Sequence, residues 1–229
     1  MCQHKRTLLL SLILLLNTIV CIAQPSTIGF RRLPMDPSVA SSQINCIMRD
    51  SHGYIWLGTQ YGMARYDGFR FSVLLHQDGV SNSLANNIVD QIQEDRKGHL
   101  WVHTANGYCV YDNFYESFIN DTHDYLSNYG ISGTLDLLYI DEEKNLWVAI
   151  TGKGLYKVDA KTDKTTFLAY GKQIHNSPIT CIVRDGDHVF VNFSDGLLVS
   201  LDANSLRQRW QADYIKKNRG AASDKYTTY

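Results

Sequence analysis

Histidine and aspartate are the residue types that could do chemistry in this chain, and their placement argues against most of it. His99 and His103 flank Trp101 as H-L-W-V-H. On a helix that spacing would offer two imidazoles to one metal ion. On a strand four residues span ~13 Å, too far to share an ion, and no glutamate accompanies them. His52, His76, His123, His175 and His188 fall singly in stretches that read as turns or loops, and a surface position is expected for most. Aspartates recur at Asp50, Asp95, Asp141 and Asp185, and again at Asp67, Asp112, Asp159 and Asp202. Placed at matching points and often beside Gly or Asn, they read as turn builders rather than calcium ligands or acid catalysts. No Ser-His-Asp order, G-x-S-x-G elbow or phosphate-cradling Gly loop is present. Paired carboxylates for glycoside hydrolysis cannot be picked out of so many turn acids. The expectation is therefore no catalytic residue, no metal site and no cofactor.

The elements that hold these residues come from a repeat. Trp56, Trp101 and Trp147 lie 45 and 46 residues apart, and Phe190 follows 43 residues later. An Asp of the first series precedes each aromatic by five or six residues. A Gly follows it by six or seven: Gly62, Gly107, Gly154 and Gly196. An Asp of the second series closes the unit five or six residues further on. Asp-x-x-Gly at Asp50–Gly53 and Asp95–Gly98 marks a hairpin connection, with Asp capping the turn and Gly taking a positive φ. In the third unit Lys144-Asn145 stands there, with Asn145 expected in that conformation. The shorter fourth unit uses Asp185-Gly186. Flanking segments such as 54–57, 100–102 and 189–191 are rich in β-branched and aromatic residues and too short for helices. A fourth strand is expected in each unit, at 69–75, 115–119, 165–170 and 207–210. Four short antiparallel strands in about 45 residues make a β-propeller blade. The fold class is thus all-β, with blades at 44–87, 88–134, 135–178 and 179–223. The Trp column is expected to pack between neighbouring blades, because a single blade cannot bury both faces.

Composition agrees with a globular β protein: 229 residues, 44% hydrophobic, 14 Tyr and 4 Pro. The N-terminus reads as an export signal over 1–23. Lys5 and Arg6 lead an apolar stretch of about 16 residues, short of the ~20 that span a membrane, and Cys21-Ile22-Ala23 ends it with a cleavage pattern. Without that segment 20 basic residues face 23 acidic ones, a charge of -3, with no basic cluster of the kind nucleic acid requires. The expected location is the periplasm. Cys46, Cys109 and Cys181 remain, an odd and widely spaced set that reads as small buried hydrophobes rather than a disulfide or zinc framework.

The first unit, DSHGYIWLGTQYGMARYDG at 50–68, resembles the two-component regulator propeller repeat, with its D-x-x-G-x-h-W-h-G-T-x-x-G-h-x-x-y-D pattern in which h is apolar. The second unit keeps Asp95, Gly98, Trp101, Thr104, Gly107 and Asp112 but has His103 where the first has Gly58. The third keeps Asp141, Trp147, Gly154 and Asp159, and the fourth loses the Trp. The resemblance covers 28–213 and weakens along the chain. It implies paired seven-bladed rings outside the inner membrane of Bacteroidetes-type hybrid sensor histidine kinases, responding to oligosaccharides. The partners it implies are further propeller blades, a downstream kinase on a longer chain and an oligosaccharide ligand; a homodimer is left open. No kinase, receiver or helix-turn-helix segment occurs in these 229 residues.

The ends agree with a fragment. Residues 28–43 parallel 71–87, so 24–43 reads as an outer strand and loop lacking inner strands of its own, while 224–229 reads as the start of a fifth blade. A ligand site is expected on a rim where loops gather. The insertion 113–134 is the first candidate, carrying Phe114, Tyr115, Tyr125 and Tyr129; Tyr115 and Phe118 are assigned to the outer strand, which leaves Tyr125 and Tyr129 as exposed aromatic platforms. The loop 76–87 is the second. Two rival readings are a periplasmic scaffold and a quinoprotein- or lyase-like propeller enzyme. The segments GLYKVDAKTDKTTFL and GLLVSLDANSLRQRW echo quinoprotein repeats but lack the Thr-Gly expected after Asp.

Overall fold

The computed structural model describes Gly29 and residues 43–215. The export signal, the N-terminal outer strand and the start of a fifth blade lie outside the described residues. Within them the β-rich segments form four antiparallel sheets of four strands each, ordered in space as in sequence. The first blade holds β1 (Ile44–Arg49), β2 (Ile55–Thr59), β3 (Gly62–Tyr66) and β4 (Phe71–Leu74). The second holds β5 (Val89–Glu94), β6 (Leu100–Thr104), β7 (Gly107–Asp112) and β8 (Ser117–Ile119), followed by the short helix α1 (Thr122–Ser127). The third holds β9 (Leu135–Ile140), β10 (Leu146–Ile150), β11 (Gly154–Val158) and β12 (Thr165–Ala169). The fourth holds β13 (Ile179–Asp185), β14 (His188–Phe193), β15 (Leu197–Asp202) and β16 (Gln208–Asp213).

The first three blades share the chemistry of their first turn, and all four share that of the third. In the first turn one carboxylate oxygen binds two backbone amides. Asp50 takes those of His52 and Tyr54, Asp95 those of Lys97 and His99, and Asp141 those of Glu143 and Asn145, all at 2.8–3.0 Å. The other oxygen accepts the indole N–H six residues on: Trp56 at 2.7 Å, Trp101 at 3.3 Å and Trp147 at 3.0 Å. In the third turn Asp67, Asp112, Asp159 and Asp202 each bind the amides two and three residues later. Gly154, at φ 146°, is where bulk is least tolerable, because a Cβ would fall on the Leu168 carbonyl oxygen.

The blades pack face to face through Trp56, Trp101 and Trp147, each at most 1% exposed. Trp56 joins the second blade's Ile92, Val102 and Tyr111, meeting the Tyr111 ring edge-on at 5.3 Å. Trp101 joins Leu138 and Val148, and Trp147 joins Ile182 and Val191. Polar links reinforce these seams. Gln93 bonds the Leu138 carbonyl and the Ile140 amide, and Arg184 reaches back to Asp141. Successive first strands are neighbours, β1 with β5, β5 with β9 and β9 with β13.

Several local expectations are corrected. Lys144 takes the positive φ (65°) in the third blade. Asn145 instead spends its amide on Asp141 and its carbonyl on Ala160. The outer strands of the first two blades start at Phe71 and Ser117, later than expected, because the Asp67 and Asp112 carboxylates hold the preceding amides in a turn. The last outer strand runs three residues further, to Asp213. Of the three cysteines, all unpaired, only Cys109 is buried, while Cys181 is exposed. His188 lies in strand β14, not in a loop.

Candidate functional site

The rim at the start of the second blade carries the largest described concavity near the insertion, about 500 Å³ in volume. Three pieces of chain enclose it: His52 from the first blade's opening turn, 97–99 from the equivalent turn of the second blade, and 112–115 from that blade's third turn. Because Asp112 binds the amides of Phe114 (2.8 Å) and Tyr115 (3.1 Å), both rings stand outside the sheet. Phe114 is 85% and Tyr115 74% exposed, and the two rings are perpendicular with centroids 5.0 Å apart. The expectation that Tyr115 belongs to the outer strand is therefore overturned, whereas Phe118 does lie in β8 and is buried. Asn113 donates to the Gly98 carbonyl at 2.8 Å, which ties the two turns of the wall together. Its buried side-chain oxygen has no partner among the described residues.

Behind this wall lies a hydrogen-bonded cluster. Tyr125 donates to Asp95 at 2.5 Å. His99 lies 3.0 Å through Nδ1 from the Tyr125 hydroxyl and 3.4 Å from Asp95, with Nε2 3.7 Å from Asp112. The Asp95 hydrogen bond raises the His99 pKa, burial opposes it, and the charges of Asp95 and Asp112 add to the rise. Burial pushes Asp95 up, but hydrogen bonds from His99 and Tyr125 outweigh that and keep it below the ordinary value. Burial and the Asp95 carboxylate push the Tyr125 phenol strongly up.

Tyr125 and Tyr129 are both half-buried rather than open platforms. Tyr125 packs edge-on against Trp101 at 5.0 Å, and the hollow beside the pair is only water-sized, about 20 Å³. α1, capped by Asp121 and anchored by buried Leu126, carries Tyr125 into this position. Sequence reasoning named Phe114 among the aromatics of the insertion but missed His99 as a residue of this wall. Phe114 was signalled by the Asp112 column, which puts the two residues after it in a turn.

The second candidate loop, 76–87, spends its polar groups on itself and on the second blade, where Asn106 and Asn120 donate to its carbonyls. His76 bonds the Leu84 carbonyl and Ser83 bonds Gln77 and Val80, while Leu84 is fully buried. His103 is paired with Asp90 at 2.6 Å, so His99 and His103 serve different carboxylates. Among the described residues no group of three or more His, Cys, Asp or Glu could hold a metal ion, and no helix is long and apolar enough to cross a membrane. A second concavity of about 380 Å³ lies along the first strands, lined by Asp90, Asp136 and Thr180 among others.

Comparison with known proteins supports the repeat. Residues 38–61 and 83–106 match the family model described as two component regulator propeller. Both segments run through the Asp turn and Trp of a blade. The matches reach the first two strands of the first and second blades. The extracellular domain of BT3049 from B. thetaiotaomicron, described as a hybrid two component system, is similar at 19% identity and a TM-score of 0.53, over 72% of this chain and 24% of that one. A second extracellular domain from that organism, of BT4673, matches at 18% identity and a TM-score of 0.48, over 81% of this chain and 33% of that one. The chain spans about a quarter to a third of the length of these domains. At such identities the first likeness shows the β-propeller fold. No protein in the curated set matches the sequence.

Proposed function

We propose that the chain is part of the extracytoplasmic input region of a two-component sensor, and that its ligand is an oligosaccharide held in the rim concavity. The regulator-type repeats of the first two blades and the export-signal pattern support an input role outside the cytoplasm. The observation that carries the ligand reading is the 500 Å³ concavity rimmed by two exposed rings. A pyranose presents C–H faces that lie on aromatic rings and hydroxyls that need mixed donors and acceptors. Phe114 and Tyr115 supply the rings, and Lys97, His99 and Asn113 supply the polar groups. Tyr125 and Tyr129 stand behind the wall, where both rings lie beneath the Lys97 ammonium, at 5.8 and 5.3 Å. The longer protein that such a region serves would add further blades and a kinase.

Isothermal titration of the full chain against a panel of oligosaccharides tests the reading. Phe114→Ala and Tyr115→Ala should each weaken binding about tenfold, the worth of the apolar area one ring covers, while leaving the melting temperature unchanged. Binding that survives both substitutions would place the ligand elsewhere.

A further inference from the structure

We infer that the saccharide bound at this rim carries a negative charge, a carboxylate or sulfate, received by Lys97 and His52. The inference rests on the oligosaccharide reading above and names the class of sugar. Three basic side chains line the concavity, His52, Lys97 and His99, against the single acid Asp112. Asp112 is already engaged, with one oxygen on two backbone amides and the other facing His99. Asp95 behind it is spent on two amides, the Trp101 indole and the Tyr125 hydroxyl. Neither carboxylate is left to neutralise a cation entering from the concavity.

The cations themselves differ in how they are committed. Elsewhere in these blades Arg65 is paired with Glu116, Arg96 with Asp163, Lys144 with Glu94 and Arg184 with Asp141, while Lys153 and Lys157 donate to backbone carbonyls. Lys97 has no carboxylate partner among the described residues. Its ammonium lies over the rings of Tyr129 and Tyr125. A ring face holds an exposed cation only weakly and offers its N–H groups no acceptor. An anion would therefore draw Lys97 from the rings. The His52 imidazole, stacked on Tyr54 at 6.5 Å, likewise has no hydrogen bond among the described residues. An exposed aromatic pair beside two unengaged basic groups fits an acidic sugar better than a neutral one.

The experiment titrates the full chain with matched pairs: a galacturonic acid trisaccharide and its carboxyl-reduced form, and a sulfated disaccharide and its desulfated form. At least one acidic member should bind about tenfold more tightly than its neutral counterpart. Lys97→Ala should remove that margin, while Lys97→Arg retains it. Which acidic member is preferred tells carboxylate from sulfate. Equal binding within both pairs, or a margin unaffected by Lys97→Ala, overturns the charge inference and leaves the saccharide reading standing. Binding by neither member of either pair overturns the saccharide reading and this inference with it.

Discussion

Replacing Asp141 by Ala should cost far more than the same change at Asp185, although the two occupy the same column of the repeat. Asp141 has a fully buried side chain. It accepts from the amides of Glu143 and Asn145, from the Asn145 side chain, from the Trp147 indole at 3.0 Å and from Arg184 at 3.1 Å. Removing one partner of a buried ion pair costs about 3–5 kcal/mol. Arg184 keeps Glu143 at 2.8 Å and the Gly186 carbonyl, so the lower end applies to the pair. The indole N–H, left buried without an acceptor, adds about 1 kcal/mol. The sum is about 4 kcal/mol, and at 2–4 °C per kcal/mol for a chain of this size the melting temperature should fall by about 8–16 °C. Asp185 is exposed, and Phe190 in the Trp column has no N–H to receive, so Asp185→Ala should stay within about 0.5 kcal/mol of the parent. Thermal and urea unfolding followed by tryptophan fluorescence measure both. Trp147→Phe added to Asp141→Ala should cost less than the two changes separately, since they share one hydrogen bond. An Asp141→Ala protein within 1 kcal/mol of the parent, or an Asp185→Ala protein equally damaged, would refute the argument that the first carboxylate of a blade holds its tryptophan.

Two further outcomes follow from the titration behaviour. The His99 pKa is raised in the folded protein, so the stability it contributes is complete below the unfolded value of about 6.5 and is lost as pH rises through the folded value. The urea midpoint should accordingly fall between pH 6.5 and 8 by more in the parent than in His99→Gln, and identical slopes would contradict the assignment. Burial pushes the Cys109 thiol up to about 11, while Cys181 is exposed. Iodoacetamide at pH 8 followed by peptide mass mapping should mark Cys181 in the native protein and Cys109 only after denaturation; native labelling of Cys109 would show that the seam between the first two blades opens.

The blades were legible in the sequence because each column does a backbone task that few residue types perform. Asp offers an acceptor to amides two residues on, and Gly reaches positive φ without strain. What stayed hidden is what these residues do with their remaining atoms. The second oxygen of Asp50, Asp95 and Asp141 was available to an indole, and the constant Asp-to-Trp spacing of six residues was a signal for it, since the spacing is five where Phe190 replaces Trp. Tyr115 was misplaced because β propensity rewards an aromatic residue in a strand. The column argument was the better guide: Phe114 and Tyr115 align with Phe69-Arg70, Lys161-Thr162 and Asn204-Ser205, whose amides all bind the preceding Asp. Tyr125 looked like a free platform because the sequence does not show that α1 turns it back onto Asp95.

Asp95 gives the rim a physical connection to the blade seam. One of its oxygens fixes the turn 97–99 that forms a wall of the concavity, and the other holds Tyr125 and the tryptophan packed against the third blade. Glu94, next to it in the chain, binds Ser51 of the first blade and Lys144 of the third. A ligand that drew Lys97 or His99 outward would thus act on a turn held by Asp95, next in the chain to the residue that bridges the first and third blades. Binding energy changes a blade arrangement only if the ligand contacts differ between the two arrangements. The 97–99 turn is where such a difference could arise, because the carboxylate that sets its geometry also holds Trp101. The tryptophan repeat, which closes one blade on the next, thereby also connects the wall of the concavity to the packing between the second and third blades.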